Sequence, residues 1–139
     1  KPAPAQRMPV EEYYRGHETV LLVDDEEMIV DVGKRMLEKL GYETLTAMSG
    51  AEAIEIFQTR KDKIDLVILD MIMPKISGGE TFDRLKKINP AVKVILCSGY
   101  SIDGQATDIL KRGCKVFIQK PFNLKTLSHN IRIALNNEN

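Results

Sequence analysis

Along the chain, short unbroken apolar runs alternate with longer stretches whose apolar residues recur every three or four positions. Thr19–Val23 is apolar and β-branched, as a strand buried on both faces requires, and Leu66–Leu69, Val92–Cys97 and Val116–Ile118 read as three more strands. Tyr42–Ala47 is a weaker strand of alternating polarity, suited to a sheet edge. Between the strands, Ile29, Val32, Met36 and Leu40 follow helical spacing up to a stop at Gly41. Ser49-Gly-Ala-Glu52 forms a capping box that opens a helix with Ala53, Ile54 and Phe57 on its apolar face. Ser77-Gly-Gly-Glu80 opens another, with Phe82, Leu85 and Ile88 inward and Pro90 closing it. Asp103–Arg112 reads as a helix stopped by Gly113, and the last helix starts at Asn123, with Leu124, Leu127, Ile131 and Leu135 along one side. Strands alternating with helices of this length predict an α/β fold, a doubly wound parallel sheet with right-handed crossovers.

In such sheets ligands bind beyond the carboxyl ends of the strands. Asp24 and Asp25 follow the first strand, Asp70 the third and Ser98 the fourth, while Lys120 lies just past the fifth; the second delivers no such residue. Each residue alone is an ordinary strand end, and Asp24-Asp25 alone reads equally well as a polar loop that caps the next helix. Together they form a pattern. Carboxylates converging on one rim repel, and a divalent cation removes the conflict. Oxygen ligands with room left for water and a phosphate oxygen favour Mg2+ over a caged Ca2+, and no D-x-D-x-D-G loop occurs. Beside such an ion Asp70, already ionised at neutral pH, can attack phosphorus without a base. Lys120 and the Ser98 hydroxyl would then serve the oxygens of the transferred group.

Length and composition narrow the remaining options. A chain of 139 residues makes one domain. Twenty basic and twenty acidic residues cancel, so no global field draws the chain to nucleic acid or an anionic membrane. No apolar stretch is long enough to span a bilayer, and nothing reads as a signal peptide. Cys97 and Cys114 are not in metal-ligand spacing, and two free thiols fit a reducing, cytoplasmic setting. Residues 1–18 contain three prolines and no apolar periodicity and read as linker or tail, leaving 19–137 as the folded domain. A start at Lys1 fits a segment of a longer protein. No GKS, GKT or GxGxxG supports nucleotide binding, and His129 reads as a surface histidine rather than a phosphorylated one.

The stretches Leu21-Leu-Val-Asp-Asp-Glu26, Leu66-Val-Ile-Leu-Asp-Met-Ile-Met-Pro74 with Gly78, Leu96-Cys-Ser-Gly99 and Phe117-Ile-Gln-Lys-Pro-Phe122 resemble the response-regulator receiver domains of two-component systems, over roughly Glu18 to Leu135. The resemblance implies a flavodoxin-like (βα)5 fold with strand order 2-1-3-4-5. It implies that Asp70 is the phosphoacceptor and that Asp25, Asp70 and the Ile72 backbone carbonyl hold Mg2+, with Mn2+ as a substitute and Asp24 acting through water. It also implies a cis Lys120–Pro121 bond. Ser98 and Phe117 would form a switch, although Phe117 serves equally well as a core residue of a doubly covered strand. Ile72 and Tyr100 would set the lifetime of the phosphoaspartate, and both are bulky and carry no group to orient water. The implied partners are a histidine kinase or histidine phosphotransfer domain as donor and a downstream protein at the helix 4–strand 5–helix 5 face, with no direct contact to nucleic acid or membrane. Gly16-His-Glu-Thr and Ser98-Gly-Tyr100 look like the C-terminal receivers of hybrid sensor histidine kinases, which would place the domain in the cytoplasm, on a membrane-anchored parent if that parent is a sensor kinase. On this reading the isolated domain is not an enzyme beyond its own phosphorylation and dephosphorylation. Two rivals remain open: a degenerate receiver that binds partners without phosphorylation, and an aspartyl-nucleophile hydrolase, which would usually show D-x-D after the first strand and a cap insertion.

Overall fold

Five strands, β1 (Thr19–Val23), β2 (Glu43–Ala47), β3 (Leu66–Asp70), β4 (Val94–Ser98) and β5 (Val116–Gln119), alternate with α1 (Glu27–Lys39), α2 (Gly50–Arg60), α3 (Gly78–Ile88), α4 (Gly104–Lys111) and α5 (Leu124–Asn136) in a computed structural model that describes residues 13–99, 104–114 and 116–136. The strands form one sheet in the order β2-β1-β3-β4-β5, and every neighbouring pair is parallel. All positions of β1, β3 and β4 are buried, because successive side chains enter two different cores. Leu21, Val23, Val67, Leu69 and Leu96 meet Ala53 and Phe57 of α2, Phe82 and Leu85 of α3, and Ala106 and Ile109 of α4. Val20, Leu22, Leu66, Ile68 and Ile95 meet Leu37 of α1 and Leu127, Ile131 and Ala134 of α5. The free thiols of Cys97 and Cys114 are buried in opposite layers, and burial pushes both above the usual thiol range. β2, at the edge, is half exposed, as its alternating pattern predicts.

The local signals act with some shifts. Ser49 and Ser77 cap α2 and α3 by accepting from the Glu52 and Glu80 backbone N–H groups at 3.1 and 3.2 Å. Neither box closes reciprocally on its own serine: the Glu52 carboxylate accepts from the Met48 N–H, and that of Glu80 pairs with Arg84. Asn123 caps α5, its side chain accepting from the Thr126 N–H at 2.8 Å. β4 starts at Val94 rather than Val92, whose N–H is used in a turn back to the Asn89 carbonyl.

The register of α1 differs from its apolar spacing. Val30, Gly33, Leu37 and the C-cap Leu40 face inward, while Val32 is exposed. Gly33 accounts for the difference, since an apolar count skips a residue without a side chain. A Cβ there would lie 2.7 Å from a Leu22 methyl, so the helix rests directly on β1 through its glycine. Residues 13–18, read from composition as linker or tail, lie against α1 and α5: the Gly16 N–H donates to the Leu40 carbonyl and Arg132 pairs with Glu18. Leu37→Ala is expected to cost about 2–5 kcal/mol in urea unfolding, and Val32→Ala less than about 0.5 kcal/mol. Equal losses would contradict this register.

Candidate functional site

The rim at the carboxyl ends of the strands is built from chain segments that leave the sheet one residue apart. Asp70 is the last residue of β3 and Ser98 the last of β4, while Asp24 follows β1 and Lys120 follows β5. The Asp24 N–H donates to the Ala47 carbonyl and the Lys120 N–H to the Ser98 carbonyl at 2.7 Å, so backbone pairing fixes both side chains at the rim. The Lys120–Pro121 peptide bond is cis.

Behind Asp70 the chain is held tightly. The Met71 N–H extends the sheet to the Cys97 carbonyl, and the Gly78 N–H returns to the Met71 carbonyl at 2.9 Å. A Cβ on residue 78 would lie 2.5 Å from the Asp70 carbonyl oxygen and 2.6 Å from the Met71 Cα, so only glycine permits α3 to begin there. Between them Lys75 has φ of 70° and the Ile76 N–H donates to the Pro74 carbonyl, a tight three-residue turn with its centre in the left-handed region.

Charge is concentrated at this point. Asp24 and Asp70 are 2% and 4% exposed, and Lys120 reaches both, its Nζ 2.9 Å from Asp24 Oδ2 and 3.1 Å from Asp70 Oδ1. Asp24 Oδ1 accepts from the Glu26 N–H, so both of its oxygens are engaged within the protein. Asp25 is exposed and lines the open cleft of about 630 Å³, together with Asp70, Ile72, Ser98, Gly99 and Lys120. Oxygens of Asp24, Asp25 and Asp70 can all lie within 4.8 Å of one another. Burial, reinforced by the Asp24 carboxylate and opposed by Lys120, raises Asp70 to about 6. Burial draws the Lys120 ammonium down, but its hydrogen bond to Asp24 and the charge of Asp70 outweigh this and hold it above the ordinary lysine value. Three carboxylates around one ammonium leave negative charge unbalanced, and an all-oxygen donor set of this kind fits a hard divalent cation.

The sequence pattern of the response regulator receiver domain matches residues 20–132. The chain belongs to this family. Receiver domains carry the phosphorelay of two-component signal transduction, and they bind Mg2+ through an acidic pocket. The sensor kinase CckA of Brucella abortus is 37% identical over 120 residues, covering 86% of this chain and 13% of that kinase. A response regulator receiver domain protein of Clostridium thermocellum superimposes with a TM-score of 0.82 at 38% identity, covering 86% of this chain and 94% of that one. The CheX-CheY-BeF3-Mg2+ complex of Borrelia burgdorferi gives a TM-score of 0.79 at 28% identity, with 83% and 87% covered.

The receiver fold thus gathers Asp24, Asp25, Asp70, Ile72, Ser98 and Lys120 at one rim. Phe117 lies apart, half-buried against the α2–α3–α4 core. Tyr100 is outside the described residues. The sequence reading missed Glu26 and Ile29, which line the cleft; Glu26 Oε1 lies 3.8 Å from Lys120 Nζ. The run Asp24-Asp25-Glu26-Glu27 at the start of α1 was the available signal.

Asp70 sets a pH dependence of stability. The unfolded chain releases this proton near the ordinary 3.8 and the folded chain near 6, so between those values the folded state binds more protons and loses stability as pH rises. Asp70→Asn is therefore expected to be more stable than wild type at pH 7 without divalent metal, by roughly 3 kcal/mol, and to lose most of that advantage at pH 4. A pH-independent difference in thermal unfolding would contradict this origin.

Proposed function

We propose that Asp70 accepts a phosphoryl group from a phosphohistidine, with Mg2+ held by Asp25, Asp70 and the Ile72 backbone carbonyl and with Asp24 acting through water. The observation that carries this reading is a nearly buried Asp70 at the floor of the cleft, within reach of one lysine and two further carboxylates. The division of labour between the paired acids follows their surroundings: Asp25 faces the cleft, while Asp24 already binds Lys120 and the Glu26 N–H. The Borrelia complex, which combines a CheY with BeF3 and Mg2+, supports the same ligand chemistry here. When bound, the ion would offset the charge of the acids and of the incoming oxygens.

An Asp70 oxygen bonds to phosphorus as the phosphorus–nitrogen bond of the donor breaks, and the imidazole leaves with the electron pair. Lys120 then exchanges an Asp70 oxygen for a phosphoryl oxygen, and Ser98, which is 1% exposed at the end of β4, donates its hydroxyl to another. Displacement of the Ser98 hydroxyl would open space toward Phe117 two strand positions away on β5, and so alter the α4–β5–α5 face where a downstream protein binds. The domain turns over no other substrate. The proposed receiver spans residues 19–137, with residues 13–18 docked against its α1 and α5, and it would belong to a longer parent chain. The likeness to CckA supports a sensor kinase as that parent, which would place the domain in the cytoplasm. Among the described residues no helix is long and apolar enough to cross a membrane.

Incubation with acetyl phosphate and Mg2+ is expected to add one phosphoryl mass to the wild type and none to Asp70→Asn, and EDTA should abolish the gain. Modification of both proteins would place the acceptor elsewhere, and none in either would support a degenerate receiver. Ile72, 52% exposed at the cleft mouth, offers no group to orient water, so the phosphorylated form should hydrolyse slowly. Ile72→Asn is expected to shorten its half-life severalfold; an unchanged half-life would remove Ile72 from that role.

A further inference from the structure

The segment before β1 is built into the receiver. Arg15 donates to the Lys39 carbonyl at 2.8 Å and the Gly16 N–H to the Leu40 carbonyl at 3.0 Å, so this segment satisfies carbonyls at the C-terminus of α1 that would otherwise face water. On the other side, the Tyr14 N–H reaches the Ser128 hydroxyl at 3.4 Å, the Tyr14 ring lies 4.8 Å from that of His129, and Glu18 accepts from Arg132 at 2.6 Å. Arg132 also donates to the hydroxyl of the buried Tyr42 and lies over its ring. The fit is specific to glycine. A Cβ on Gly16 would stand 2.4 Å from the Tyr42 ring, and one on Gly41, where φ is 101°, would stand 2.3 Å from the Gly16 carbonyl oxygen. Two glycines thus let two backbones close on a tyrosine ring, and the segment crosses from α1 to α5.

The same helix α5 is tied to the rim at its other end. Only Pro121 and Phe122 separate Lys120, bonded to Asp24 and Asp70, from Asn123, which caps α5. Arg132, the anchor of Glu18, stands on that helix.

We propose that Tyr13–Glu18 is a strap through which the phosphorylation state of the receiver is passed to the chain that precedes it. Lys120 changes partners at the rim, the seat of α5 adjusts, and the hold of Ser128, His129 and Arg132 on the strap changes with it. A strap fastened mainly by exposed or half-buried polar contacts is suited to this, since it loosens without unfolding the two cores. By linkage the effect runs both ways: freeing the strap changes the affinity of the rim for a phosphoryl analogue by the same factor. This inference rests on Asp70 as acceptor.

Amide hydrogen exchange by NMR on the full chain tests it, using wild type, Gly16→Ala and Glu18→Gln with and without Mg2+ and beryllium trifluoride. In wild type the Tyr14 and Gly16 amides are expected to change exchange rate at least threefold on adding the analogue. Gly16→Ala should exchange freely at both positions and bind the analogue with an affinity altered by a similar factor. Glu18→Gln, which leaves the backbone fit intact, should shift both quantities in the same direction by less. Analogue binding, read at the Met71 and Ile72 amides, with no change at Tyr14 and Gly16 overturns the strap. So does an unaltered affinity once the strap is freed. Absence of analogue binding in wild type would instead overturn the acceptor assignment, and the coupling with it.

Discussion

A single ammonium group between two buried carboxylates sets the terms for the rest of this molecule. Asp24 and Asp70 are both nearly inaccessible, and Lys120 cannot neutralise two acids at once. The imbalance appears as an Asp70 that holds its proton up to about 6. A lone folded domain would gain stability by removing one of these acids. Their retention at a solvent-facing cleft makes sense where a cation and a phosphoryl group complete the arrangement.

Holding like charges together requires a rigid frame, and the sheet supplies it. β1, β3 and β4 are buried at every position, with opposite side chains locked into separate layers. A carboxylate at the end of such a strand cannot swing away to relieve repulsion without disturbing two cores at once. With Asp70 as the proposed acceptor, no catalytic loop need move: what would change is the partner of Lys120 and the position of the Ser98 hydroxyl.

Most of this was legible in the chain itself, because doubly covered strands announce themselves as unbroken apolar runs and the residues that follow them are fixed at the rim. Asp24, Asp25, Asp70, Ser98 and Lys120 needed only that inference. The register of α1 did not yield to it, since the residue in contact with β1 is Gly33, which carries no hydropathy. The docked segment was missed for a related reason: Gly16, Glu18 and Arg15 hold it by backbone fit and polar contact, which leave no periodic trace. Glu26 was passed over because the paired acids before it already explained the rim.

The close approach of Gly78 to the end of β3 separates two properties of the loop between them. Met71 and Gly78 are joined at the loop's foot by a hydrogen bond with no room for a side chain, whereas Ile72, Pro74 and Lys75 stand in solvent above it. Substitutions at the crown can retune how water and partners meet the cleft while the foot keeps Asp70 in place. If Ile72 sets the phosphoryl lifetime as proposed, signalling chains that need clocks of different speed could draw them from one scaffold by resequencing a few exposed positions.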